Sequence, residues 1–146
     1  MLALIDNQGH VLSPLTVAPV NEVDMGLLPQ GLRDLKRVAR EVGLEVSGAV
    51  LNLEAGFDSK AHRKAVFTAG LKPNIKENPR NRQKPKQGRR RFFDAVLYHR
   101  RFTVERTFAW LHSYRRVMTR YERRVDLYDG FVHLALAFIC LNRLVK

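Results

Sequence analysis

Tyr98, Arg101, Glu105 and His112 are the residues whose types and spacing could do chemistry together. With residues 92–112 taken as a helix advancing by about 100° per residue, the four fall within one narrow sector. Phe93, Leu97, Val104, Phe108 and Leu111 fall in the sector beside it, an apolar stripe suited to face a core. Glu105 is the unusual member, because a carboxylate beside apolar side chains is penalised by desolvation unless a cation compensates it. Arg101, four residues earlier, is one such cation, and the two would then be an ordinary ion pair on a half-exposed helix face. A divalent metal is the other: carboxylates around Mg²⁺ activate a water or a 3′-hydroxyl for attack on a phosphodiester. The helix alone leaves both readings open.

Charge points toward a polyanion. The chain of 146 residues has 26 Lys and Arg against 14 Asp and Glu, a formal net charge of +12, which favours nucleic acid through counterion release and steering. The excess is concentrated. Residues 76–91 hold eight basic residues, Lys76, Arg80, Arg82, Lys84, Lys86, Arg89, Arg90 and Arg91, against Glu77 alone. Pro79, Pro85 and Gly88 oppose regular structure there, so the tract is expected to be a basic loop that touches phosphates, or else a solvated linker. Arg115, Arg116, Arg120, Arg123 and Arg124 form a second cluster that Glu122 alone cannot balance, and backbone contact with DNA is expected there. Other residues carry blander readings. The one cysteine, Cys140, cannot form an internal disulfide and reads as a small buried hydrophobe. His133 reads as a hydrogen-bonded core histidine, Trp110 as packing, and no His/Cys spacing suggests zinc.

The elements that must position these residues follow from local patterns. Leu2–Asp6 and His10–Leu12 around Asn7-Gln8-Gly9 predict a hairpin. Pro29 is expected near the start of a helix whose apolar face is Leu32, Leu35, Val38 and Ala39, with Gly43 as its stop. Val46–Leu53 reads as a buried strand ending at Glu54 and Gly56. Asp58 or Ser59 is expected to cap a helix from Lys60 to about Ala69, ended by Gly70, and Pro73–Ile75 is a short strand. This alternation predicts an α/β fold with a mostly parallel sheet. Residues 92–118 read as one long helix, and residues 127–145 as another, apolar almost all round from Phe131 to Leu141 and expected to be buried against the sheet. One domain is expected: a strand and helix part over 1–75, the basic loop over 76–91 and a helical part over 92–146. Without a basic leader or a run of roughly 20 apolar residues, the expected setting is the cytoplasm.

The spacing of Tyr98, Arg101, Glu105 and His112 resembles the Tyr-Arg-Glu-Lys signature of DDE transposases from bacterial insertion sequences. Glu105-Arg-Thr-Phe-Ala-Trp-Leu111, with Tyr114-Arg-Arg116 and Thr119-Arg-Tyr121, is similar to the sequence around it. Leu51-Asn-Leu-Glu-Ala-Gly-Phe-Asp58 resembles the family's second acidic motif, and Asn74-Ile-Lys-Glu-Asn-Pro-Arg80 the strand and basic loop that follow.

The resemblance implies a ribonuclease-H-like catalytic core that holds two metal ions, Mg²⁺ or Mn²⁺, with Asp, Asp and Glu. Glu105 then matches the third acid and Glu54 the position of the second, so both are candidate catalytic residues and metal ligands. Asp58 is the other nearby carboxylate. Tyr98 and Arg101 match residues acting on the DNA strand, and His112 stands where the signature has Lys. Arg80, Arg82, Lys84, Lys86, Arg89, Arg90, Arg91, Arg115 and Arg116 are the candidate DNA-backbone contacts. The first acid is expected on a strand upstream of the hairpin, so the core is expected to be N-terminally truncated, with a helical C-terminal portion. The implied partners are insertion-sequence ends and target DNA, with a homo-oligomer or an upstream-frame product as protein partner. The alternative is a catalytically inactive DNA-binding remnant.

Overall fold

The hairpin turn is built on a single carboxylate. Asp6 accepts from the backbone N–H groups of Gln8 and His10, both at 2.8 Å, and meets His10 Nδ1 at 2.9 Å. Gly9 completes the turn with φ +92°. The computed structural model describes residues 1–16, 24–79 and 91–145. Within it the two arms pair antiparallel at Ile5 with Val11 and at Leu2 with Thr16. The second arm therefore has two more residues between its bridges than the first, around Ser13 and Pro14, and Pro14 has no N–H to continue a ladder.

α1 spans Asp24–Glu41. Pro29 lies inside it rather than near its first residue, at an exposed position where the missing N–H leaves one intrahelical bond unmade. Leu28, Leu32, Leu35 and Ala39 are its buried face, while Val38 is only half-buried. β1 spans Val50–Leu53 and β2 Lys72–Ile75; they pair parallel, Val50 opposite Lys72 through Leu53 opposite Ile75. The strand is shorter than the apolar run suggests. Gly48 sits at φ +74° and donates to Gly70 C=O at 2.8 Å, a turn that ends the extended segment, and in β1 only Leu53 is buried. α2, Lys60–Thr68, crosses between the two strands, as parallel pairing requires, and is capped by Ser59, whose hydroxyl accepts from His62 N–H at 3.0 Å.

The helical half is broken where one rod was expected. Asp94 caps α3, Ala95–His99; a 3₁₀ turn covers Arg100–Phe102; α4 spans Thr103–His112 and α5 Arg115–Met118. Phe92 and Phe93 precede the first turn and are exposed. At the second break the Ser113 hydroxyl donates to Trp110 C=O at 2.7 Å and Tyr114 adopts an extended ψ of 109°. α6, Val125–Leu144, is long and apolar enough by length and composition to cross a membrane. It buries one face, through Tyr128, Val132, Ala135, Leu136 and Ile139.

Two cores result. One joins Leu4, α1, α2, β1 and β2; the other joins Leu15, α4, α5 and α6, with Met1, Ala3 and Val11 packed against it. None of the second core's residues comes from β1 or β2, so α6 packs on α4, α5 and the hairpin and not on the sheet. The other side of α6 leaves Leu127, Leu134, Phe138, Leu141 and Leu144 exposed. Cys140 is half-buried rather than buried.

The hairpin is locked to α4 through the buried Thr107, whose hydroxyl donates to Gly9 C=O at 2.9 Å. A Cβ on Gly9 would come within 2.9 Å of that hydroxyl oxygen. Gly9→Ala combines this clash with an unfavourable positive φ, and is expected to lower unfolding free energy by about 2 kcal/mol. Urea denaturation followed by Trp110 fluorescence measures it; a loss under about 0.5 kcal/mol would show that the contact relaxes freely.

Candidate functional site

The site is assembled at the carboxyl end of β1, the end at which open α/β sheets commonly bind ligands. Glu54 follows Leu53 directly and starts a 3₁₀ turn, Ala55–Phe57. Its carboxylate projects into solvent, and Arg101 reaches it from the turn between α3 and α4, with Nη1 3.2 Å from Glu54 Oε1. The same nitrogen lies 3.9 Å from Glu105 Oε1. Arg101, 47 residues from Glu54, thus joins it to Glu105, and the two carboxylates' oxygens can be no farther from each other than those contacts combined, about 7 Å.

Arg101 is 22% exposed, against 68% for Glu54 and 61% for Glu105. The desolvated Glu105 expected from the helical wheel is therefore not found. The buried residues of α4 are Thr107 and Leu111, with Val104 and Phe108 only half-buried, so the helix turns its core face away from Glu105 and leaves that carboxylate in water. The guanidinium is the sheltered member. Its carbon sits 5.2 Å from the Tyr98 ring centre and 4.4 Å from that of Phe102, while Tyr98 leans on Phe93 at 5.2 Å. These rings hold the side chain in place. His112, exposed at the end of α4, lies seven residues from Glu105, roughly 10 Å along the helix axis.

What aims this helix at β1 is an amide network that the sequence reading did not single out. Asn74, fully buried on β2, donates through Nδ2 to Asn52 Oδ1 on β1 and to Asp94 C=O, both at 2.8 Å. Asn74 Oδ1 accepts from Asp94 N–H at 2.9 Å, and Asp94 caps α3 by accepting from Leu97 N–H at 3.0 Å. Every polar atom of the Asn74 amide group is satisfied. The signal available was an asparagine at matched register in each strand, readable only once the pairing is known.

Asp58 is a second positioning centre, and Ser59 rather than Asp58 is the helix cap. The Asp58 side chain is 3% exposed; Oδ1 accepts from Arg63 Nε at 2.9 Å and from Arg91 Nη1 at 2.7 Å, and Oδ2 from Asn78 N–H at 3.0 Å. Burial by itself would raise its pKa, but the Asn78 N–H and the two guanidiniums outweigh that and hold the carboxyl below its ordinary value. Arg91 is thus engaged with Asp58 inside the fold. Arg80, Arg82, Lys84, Lys86, Arg89 and Arg90 lie outside the described residues.

In the second basic cluster, Arg116 pairs with Glu122 at 3.2 Å and lies over Phe131, and Arg124 pairs with Asp126. Arg120 donates to Glu122 C=O at 3.0 Å. Arg115 and Arg123 are exposed and have no ion pair among the described residues. Trp110 packs against the second core with Arg106 and Arg143 over its ring. His133 is half-buried, with Nδ1 2.8 Å from Asp129 C=O. Among the described residues no three His, Cys, Asp or Glu side chains gather as a metal-binding group.

The transposase DDE domain family matches residues 1–142. A protein of Burkholderia cepacia named as a transposase for insertion sequence element IS402 is 37% identical over 95 residues, 65% of this chain and 40% of the relative. A protein of Brucella ovis named as a transposase for insertion sequence element IS6501 is 36% identical over 102 residues, 68% of this chain and 72% of the relative. The chain spans less than half the length of the first relative. No solved structure matches it.

Proposed function

This chain belongs to the transposase DDE domain family, and from that premise we propose that it supplies part of a ribonuclease-H-like core that cuts and joins insertion-sequence DNA with a bound divalent cation. One observation carries the reading: Arg101 Nη1 joins Glu54 and Glu105, bringing to one place carboxylates that the chain separates widely. Two exposed carboxylates suit a hard cation, since Mg²⁺ commonly takes one or two protein carboxylates and fills its other positions with water. Glu54 and Glu105 would hold it. Held there, Mg²⁺ or Mn²⁺ would supply the Lewis acidity that makes a nucleophile of a water for strand cleavage or of a 3′-hydroxyl for joining.

The chain's own residues do the rest. Arg101 lies between the two carboxylates in the free protein and turns to phosphate oxygens when DNA arrives, for which its planar fork is suited. Tyr98 keeps the guanidinium oriented, and His112 meets the backbone farther along the strand. Arg115 and Arg116, with the basic residues of 80–90, add affinity without base readout. Tyr98, Arg101 and Glu105 support assignment to the Tyr-Arg-Glu-Lys branch, acting in the cytoplasm.

A second reading, an inactive DNA-binding remnant, is favoured by the same guanidinium, which occupies the space between the two acids and offsets one of their two charges. One experiment separates the two. The purified chain, alone and with a polypeptide covering the upstream part of a longer relative, is mixed with plasmid carrying the element's ends, with and without Mg²⁺. Salt-sensitive binding with Mg²⁺-dependent nicking in either mixture is expected. Binding without nicking in both establishes the remnant; no binding at all removes both readings.

A further inference from the structure

We propose that the outer face of α6 is where two copies of this chain pair, helix against helix and antiparallel. Leu127, Phe131, Leu134, Phe138, Leu141 and Val145 follow one another at alternating steps of four and three residues, the spacing of a seam between two packed helices. They fall within a sector of roughly 80°. That sector lies opposite the face that Tyr128, Val132, Ala135, Leu136 and Ile139 bury in the second core. Asp126, Asp129, His133 and Arg143 all fall outside it. Leu127, Leu134, Phe138 and Leu141 are each half-exposed, and Val145 is 80% exposed. A face with this period and no charge is built for another helix rather than for water.

The register identifies the occupant as a second α6. Turned antiparallel about a twofold axis at the middle of the seam, it sets Leu127 against Val145 of the second copy, Phe131 against Leu141 and Leu134 against Phe138, and the axis repeats each layer. Shape agrees along the flank. The same axis brings the exposed Gly130 opposite Leu144, which is 81% exposed, and Ala137 opposite its own counterpart. A glycine inside a helix weakens it relative to alanine, and nothing in this chain lies within 4 Å of where a Cβ on Gly130 would stand. Leu144 of the second copy gives that glycine a purpose. A cavity of about 250 Å³ opens on this face, and the α6 residues lining it are Phe131, Leu134, Ala135 and Phe138. Four residues at those intervals form the hole that takes one knob from a facing helix, and the register puts Phe138 of the second copy there. A parallel pair would forfeit the match of Gly130 with Leu144 and would align the two helix dipoles. None of this rests on the catalytic reading of Glu54 and Glu105.

The test is sedimentation equilibrium of the whole chain over a dilution series, with circular dichroism and Trp110 fluorescence reporting the fold of each variant. The wild-type chain is expected to pass reversibly between monomer and dimer. Because each copy carries a net charge of +12, the dimer should hold or tighten as salt rises, the opposite of DNA binding. Leu134→Lys should weaken it at least about tenfold. Gly130→Leu should do the same, since it fills the space that Leu144 of the second copy needs while leaving the monomer folded. Adding Leu144→Ala to Gly130→Leu should bring the affinity back to within a fewfold of wild type, a rescue that a change confined to the monomer does not give. In a Cys140→Ser background, Leu127→Cys mixed with Val145→Cys should form a disulfide-linked pair, and neither variant should link to itself. The proposal is overturned by a chain that stays monomeric throughout, by a dimer that Leu134→Lys and Gly130→Leu leave unchanged, or by Leu127→Cys linking to itself. A monomer that binds phosphatidylcholine vesicles and loses that binding with Leu134→Lys overturns it as well, because lipid is then the occupant.

Discussion

Replacing Glu105 by Gln is expected to lower divalent-dependent strand nicking by two to three orders of magnitude, the scale on which losing one well-placed charge-stabilising group acts in phosphoryl and acyl chemistry. The amide keeps the side chain's size but removes a hard anionic donor. It should do little else, because Glu105 is 61% exposed and its contact with Arg101 is 3.9 Å, long for an ion pair and worth a few tenths of a kcal/mol at most. Folding should be unchanged by circular dichroism. DNA affinity should hold or rise slightly, since a negative charge beside the proposed phosphate path has gone. That combination separates a ligand from a surface ion-pair partner: an ion-pair partner would alter stability marginally and nicking hardly at all. Nicking within fivefold of wild type, in the mixture where wild type is active, would remove Glu105 from the proposed cation site.

What could be read from the sequence, and what could not, divides along the distance over which the determining interaction acts. The cap at Ser59, one of two candidates with Asp58, the turn at Asn7-Gln8-Gly9 and the short strand ending at Ile75 are largely set by near neighbours, and local chemistry found them to within a residue. The length of β1 depends on Gly48 meeting Gly70, and the start of α3 on Asp94 meeting Asn74. Neither contact is written in the local pattern. A helical wheel gives the faces of a helix but not which of them meets the core, and α4 buries Thr107 and Leu111, which leaves Glu105 in water. The site shows the same division. The i, i+4 relation between Arg101 and Glu105 was legible, but the shorter contact of Arg101 with Glu54 exists only because parallel strands and the asparagine pair bring the end of β1 under α3. Asp58 was visible as a cap candidate because capping is local; its actual partners, Arg63, Asn78 and Arg91, lie up to 33 residues away.

Those distant partners give Asp58→Asn the largest expected effect on stability, about 3–5 kcal/mol, the cost of leaving a buried ionic partner without its counter-charge. Arg63 is the stranded partner. Its side chain is 9% exposed and its other contact, Nη2 to Ile75 C=O at 2.9 Å, is neutral. An asparagine cannot replace the carboxylate, because one of its two positions becomes an N–H₂ group facing either the guanidiniums or the Asn78 N–H, all of them donors. Against a total stability of roughly 5–15 kcal/mol for a domain of this size, such a loss brings the chain close to unfolding. Arg91→Gln should cost less, about 1 kcal/mol, since Arg91 is 28% exposed and water can replace it. The pH dependence has a definite sign. Asp58 has its carboxyl pKa lowered in the fold, so its contribution is present above the unfolded-state value of about 4 and is lost as pH falls toward the folded-state value. Wild-type urea midpoints should therefore drop below about pH 4 more steeply than those of Asp58→Asn, which lacks this titration. Because Asp58 joins α2, the end of β2 and the residue leading to α3, the variant should also loosen the approach of Arg101 to Glu54, read as faster amide exchange at Asp94 and Leu97. A stability loss under 1 kcal/mol with unchanged exchange there would mean that the Asn52, Asn74 and Asp94 network positions the helix without Asp58.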